Sequence, residues 1–134
     1  MDKRQLDLSH YRMEKAKADL TISKLNLENR GFSQSINRSY YSMFHAVRAL
    51  LALEKYDSKK HSGIISHFNQ YYIKPKYIEP EYFKILTKAF QIRKDCDYDD
   101  FYIATSEDAK VQYDNAVKFV KRIEEYIKSI QCPA

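Results

Sequence analysis

Two groups of residues in this chain carry side chains able to hold a phosphate or move a proton. Asn37, Arg38, Tyr41 and His45 fall in one stretch, and Arg93, Asp97 and Tyr98 in another. Guanidinium groups present planar sets of donors that match phosphate oxygens, an amide can orient a ligand, and a phenol can both hydrogen-bond and stack. Arg93 comes three residues after Phe90 and seven after Leu86, so a helix through them directs its guanidinium towards the inner side. Asp97, four residues further on, can pair with it along the same helix, an arrangement worth only ~0.3–0.5 kcal/mol when exposed. A charge aimed at the margin of a core needs a partner, and Asn37, Arg38 and Tyr41 are candidates to share the site.

Other polar residues are open to two readings. Arg38 and His45 differ by only about 20° around a helix, so they project together. Such a pair serves either proton transfer or, more plainly, packing, a dimer seam or phosphate contact. His61 follows Lys59 and Lys60 near a helix start, where backbone amides and two lysines could hold a phosphate or simply form a solvated basic turn. His10 and His67 lack a second ligand at metal spacing, so neither metal nor cofactor is expected. The twelve tyrosines and seven phenylalanines invite base stacking. Most sit on apolar stripes, leaving Tyr41, Tyr71 and Tyr98 as the candidates for ligand contact.

The elements that must position these groups read as helices. From Ser33 to about Lys55, Ile36, Tyr40, Met43, Phe44, Val47, Leu50 and Leu51 form one stripe. Asn37, Tyr41 and Arg48 lie along its flank, and Arg38, His45 and Ala52 almost opposite. Ser39, Ser42, Ala46 and Ala49 make a row of small residues that would let another helix or a second subunit approach. A first helix spans roughly Leu6 to Asn29 on Met13, Ala16, Leu20 and Leu27, with Gly31 as its left-handed stop and Ser33 as the cap of the second helix. Ser58 is a candidate cap for a short third helix carrying His61, Ile64, Ile65, Phe68 and Tyr72. Pro80 opens a fourth, striped by Phe83, Leu86 and Phe90 and ended by the DCDYDD run. A fifth begins at TSED and repeats Ala109, Tyr113, Ala116, Val120, Ile123, Ile127 and Ile130. With no alternating strand pattern and no internal repeat, the expectation is an all-α, antiparallel, four- to five-helix up-and-down bundle forming one domain over residues 1–134.

Composition narrows the function classes. Only two glycines and three prolines interrupt 134 residues, and the net charge is +5, which favours acidic partners without selecting one. No apolar run approaches the ~20 residues of a membrane span, and the amino terminus lacks a secretion-type apolar centre, so the expectation is a cytoplasmic protein with no membrane association. Cys96 and Cys132 are too few for a disulfide framework and read as free thiols.

The run NRSYYSMFHAVRALL, then KKHSG opening the third helix, then Arg93 followed by Asp97 and Tyr98, resembles the HEPN superfamily, the "higher eukaryotes and prokaryotes nucleotide-binding" domains. It is most similar to the small stand-alone prokaryotic members, from about Leu6 to Ile130. The resemblance implies a bundle of four or five helices, homodimers with functional residues gathered in the groove between protomers, and frequent action beside a minimal nucleotidyltransferase as a toxin–antitoxin pair. It also implies that ribonuclease members place a histidine shortly after an arginine equivalent to Arg93, with a polar residue at the position of Asn37. The stretch KDCDYDDFY after Arg93 has no histidine. Tyr98 stands near a position from which related toxins offer a tyrosine for nucleotidyl modification. The resulting expectation is a nucleotide- or RNA-binding or nucleotidyltransferase-partner protein without nuclease activity of its own, with Asn37, Arg38, Tyr41, His45, Arg93, Asp97 and Tyr98 as its ligand-binding residues. The alternatives are a metal-independent ribonuclease toxin using Arg38 and His45, and a non-catalytic adaptor whose polar flank makes a dimer contact.

Overall fold

The computed structural model describes residues 2–131, and its helices follow the apolar stripes closely. They are α1 (Lys3–Glu28), α2 (Phe32–Ala52), α3 (His61–Phe68), α4 (Pro80–Tyr98) and α5 (Ser106–Gln131), with a π-helical turn at Asn69–Ile73 continuing α3. Among the described residues there are no strands, and the molecule is an all-α helical bundle as the periodicity requires.

Local signals explain most helix ends. Asp2 and Gln5 form a reciprocal capping box on α1, Asp2 Oδ1 accepting from Gln5 N at 2.9 Å while Gln5 Oε1 accepts from Asp2 N at 2.8 Å. Thr105 Oγ1 accepts from Asp108 N at 3.0 Å at the start of α5. Pro80 occupies the first turn of α4, where its missing N–H costs nothing. Three expected caps fall elsewhere. The left-handed residue after α1 is Arg30, at φ 64°, and Gly31 has the ordinary φ of −86° while serving as N-cap of α2. Ser33 therefore lies inside the first turn and caps nothing. Ser58 accepts from Lys60 N at 3.2 Å, one turn before α3, whose N-cap is Lys60 itself.

The helix α2 is the axis of the bundle, packed by α1, α4 and α5, so its burial is wider than one stripe. Ser39, Ser42, Ala46 and Ala49 are all fully buried, and Ala52 is buried too. The row of small residues is thus used within the chain: Ser39 Oγ lies 2.7 Å from Ser23 Oγ of α1, which also bonds the carbonyl of Ser35 at 2.9 Å. Along α4 the buried line is Tyr82, Leu86 and Ala89, with Phe83 and Phe90 half-buried at its edge. Along α5, Gln112 and Phe119 are buried, whereas Tyr113 is half-buried and Ile130 exposed. Cys96 is a half-buried free thiol, and Cys132 lies outside the described residues.

Candidate functional site

The candidate site is built where α2 and α4 meet, around the phenol of Tyr41. Arg93, on the inner edge of α4 with its side chain 15% exposed, donates from Nη2 to Tyr41 Oη at 3.1 Å. Its Nε lies 3.1 Å from Asp97 Oδ2, an ion pair one helical turn away whose angle is too poor for a hydrogen bond. The same guanidinium sits 5.3 Å from the Tyr41 ring centre and 5.6 Å from that of Tyr40. Desolvation strengthens such cation–π contacts.

Arg38 reaches the same ring from α2, its guanidinium 5.0 Å from the centre. It is held by Asn37 Oδ1, which accepts from Nε at 3.1 Å and Nη2 at 2.7 Å, and by Asp19 Oδ1, which accepts from Nη1 at 3.0 Å. Asn37 therefore orients Arg38, while the phenol of Tyr41 is what faces Arg93. Asp19 belongs to α1 and is not among the candidates that spacing offers. Its position three after Ala16 places it on the inner side of that helix, and that is the signal by which it could be found. Burial raises the Asp19 carboxyl, and Arg38 partly offsets the rise.

A cleft of about 500 Å³ opens beside these groups, lined by Asn26, Ser33, Gln34, Asn37, Arg38, Cys96 and Asp97. The Cys96 thiol is pushed up by burial, which keeps it protonated and unreactive. Arg93 lines a different cleft, of about 440 Å³, with Lys60, His61, Ser62, Phe90, Lys94 and Tyr98. Tyr98 is 75% exposed and belongs to this second cleft rather than to the cluster around Tyr41. Tyr71 lies elsewhere, its ring 4.4 Å from that of His67.

The two histidines near the site differ. His45 is mostly buried, and burial together with Lys15, Arg48, Arg38 and Arg12 lowers its pKa to about 4. Its Nε2 lies 3.7 Å from Asp19 Oδ2, beyond hydrogen-bond reach, and a ring neutral at pH 7 makes no ion pair there. His61, at the start of α3, stacks on Phe44 at 4.1 Å and shares a 2.7 Å hydrogen bond between Nδ1 and Tyr40 Oη. Burial and the charges of Arg93 and Arg48 lower its pKa. Burial also raises that of Tyr40, so the hydroxyl keeps its proton. Spacing gives no link between His61 and Arg93, because His61 comes from a separate short helix with no periodic relation to α4.

Known proteins are similar to this chain over most of its length. A family model described as the HEPN domain matches residues 9–130. The chain is 34% identical over 118 residues to "Putative toxin MJ0605" of Methanocaldococcus jannaschii, covering 88% of this chain and 87% of that one. It is 33% identical over 118 residues to "Putative toxin MJ0142" of the same organism, covering 87% and 80%. A "UPF0332 protein" of Thermotoga maritima is 29% identical over 131 residues, covering 98% of each chain.

Proposed function

This chain belongs to the HEPN domain family, and from that premise we propose that it binds nucleotide or RNA phosphate at the cleft beside Tyr41, without cleaving RNA itself. In this reading it is a toxin-type protein that works as a homodimer beside a minimal nucleotidyltransferase. The observation that carries the binding reading is the placement of two guanidinium groups, Arg38 and Arg93, on one phenol ring, with Arg38 lining one open cleft and Arg93 another. Arginines positioned in advance lose little side-chain freedom when they meet ligand phosphate. Asp97, a third exposed on the last turn of α4, is the acid a ligand displaces to reach Arg93.

Support for a toxin-type role comes from the names of the two relatives from M. jannaschii. Support for binding without cleavage comes from the histidines. A ring with a pKa near 4, as in His45, gives almost no protonated acid at neutral pH. His61 already has Nδ1 engaged with Tyr40.

Calorimetric titration with AMP, ATP and a short RNA tests the site. Replacing Arg93 with Ala should weaken binding by about 10- to 100-fold, the cost of removing one charged partner from a half-buried phosphate contact. Equal binding by the wild type and Arg93→Ala removes the proposed site. Incubation of the same RNA with purified protein should leave it intact. Cleavage that disappears in His45→Ala would instead establish the ribonuclease reading through Arg38 and His45.

A further inference from the structure

A second pair of arginines lies towards the other end of α2, about 16 Å along the helix from Asn37 by its rise per residue. Arg48 Nη2 and Arg12 Nη2 both donate to Asp57 Oδ2, at 2.9 Å and 3.3 Å. The two cations are built into the body of the bundle, with side chains 26% and 11% exposed, whereas the carboxylate is 49% exposed on the loop between α2 and α3. Arg12 keeps its place without Asp57, because its Nη1 donates to the carbonyl of Arg48 at 3.2 Å. Arg48 Nε is buried without a hydrogen-bond partner among the described residues, so Asp57 does not satisfy the whole guanidinium.

Asp57 stands between two open clefts. One, of about 390 Å³, is lined by Arg4, Gln5, Arg12, Lys55 and Tyr56 among others; the second, of about 630 Å³, by Phe44, Arg48, Ser58, Lys59 and His61. Asp2 offsets Lys55 at 3.4 Å, but Arg4 and Lys59 add positive charge around a single bridging carboxylate. One negative charge under-neutralises two half-buried guanidiniums, and burial together with Arg48 already lowers the pKa of Arg12. A phosphate dianion carries twice the charge of Asp57 and more acceptor oxygens, arranged for bidentate contact with both arginines.

We propose that Arg12 and Arg48 form a second anion site, separate from the Tyr41 cleft, that takes a phosphomonoester dianion and is held closed by Asp57 as an internal stand-in for that ligand. The loop rests directly on α3: a Cβ at Gly63 would come within 2.5 Å of Ser58 Oγ. Lys55, at φ 58°, lies at the turn leading into it. Rotation of the half-exposed Asp57 side chain takes its carboxylate away while Tyr56 stays stacked on His67 and Arg12 and Arg48 stay in place.

The test uses inorganic phosphate as probe and the full chain carrying Arg93→Ala, so that the Tyr41 cleft is disabled and failure here is distinct from failure of the binding site proposed above. Side-chain Nε–H resonances of Arg12 and Arg48 report occupancy. They should shift saturably, and adding Asp57→Asn should tighten the apparent affinity about tenfold, within the usual range for two groups competing for one site. Adding Arg12→Gln should remove that gain. Asp57→Ser gives the same readout should the Asn variant fail to fold. Shifts that never saturate, an affinity indifferent to both Asp57 substitutions, or a gain that survives Arg12→Gln would each overturn the proposal.

Discussion

Tyr41 does its positioning work because a phenol offers a hydroxyl to one arginine and a ring to two. Arg93 bonds the hydroxyl, and Arg38 stacks on the ring while Asn37 and Asp19 hold it. Tyr41→Phe keeps the ring and removes one hydrogen bond to a charged group, so it should lower stability by about 1.5–3 kcal/mol, measured as a shift in the urea midpoint. Behind this pair, His45 makes stability depend on pH. Its pKa falls from 6.5 in the unfolded chain to about 4 in the folded one. Between those values the unfolded state binds the extra proton, so stability is intact above about pH 6.5 and is lost as pH falls towards 4. His61, also lowered, acts in the same direction. Urea midpoints taken across this window should drop for the wild type and drop less for His45→Gln. An equal change with pH in the wild type and His45→Gln would show that His45 is not held neutral, since the raised Asp19 carboxyl acts in the opposite direction in both.

At the scale of elements, α2 determines where the site can be. Its apolar stripe is legible from spacing alone, but the side bearing Ser35 and Ser39 is equally buried, against α1. Three hydroxyls meet there, Ser23 Oγ lying 3.0 Å from Ser35 Oγ and 2.7 Å from Ser39 Oγ, and close approach of the two helices depends on their small size. A Ser39→Leu substitution should therefore overpack the seam and cost about 1–3 kcal/mol, seen as a lower midpoint in urea unfolding. The far end of α2 is tied down differently. Glu54 bonds both His67 and Tyr72, joining the residues after α2 to α3 and its π-helical turn, while the His67 ring stacks on Tyr56 at 3.7 Å. Spacing gives no sign of this tie, because it joins residues from three segments.

At the scale of the whole molecule, the charge of +5 becomes specific only through placement. Arg38 and Arg93 gather on the Tyr41 ring, and Arg12, Arg48 and Lys59 at clefts near the other end of α2. RNA bound at the Tyr41 cleft should weaken as salt rises, and Arg93→Ala should reduce the slope of log affinity against log salt by about 0.7, the share of one phosphate contact on a single strand. An unchanged slope would place the contact elsewhere. Among the described residues no helix is long and apolar enough to cross a membrane.

The one-dimensional pattern determined the helices, because periodic burial is a local property: the stripes of α2 and α5 and the stop signals around Pro80 can be read without knowing any neighbour. It also brought Arg93 to the inner edge of α4, since three- and four-residue spacing fixes the face on which a side chain emerges. Only the tertiary structure decided which groups meet. Asp19 from α1, Arg38 and Tyr41 from α2, and Arg93 from α4 converge through helix packing, as do Arg12, Arg48 and Asp57 from three different segments. Contacts between distant segments depend on how the helices cross, and periodicity within a single helix carries no information about that crossing.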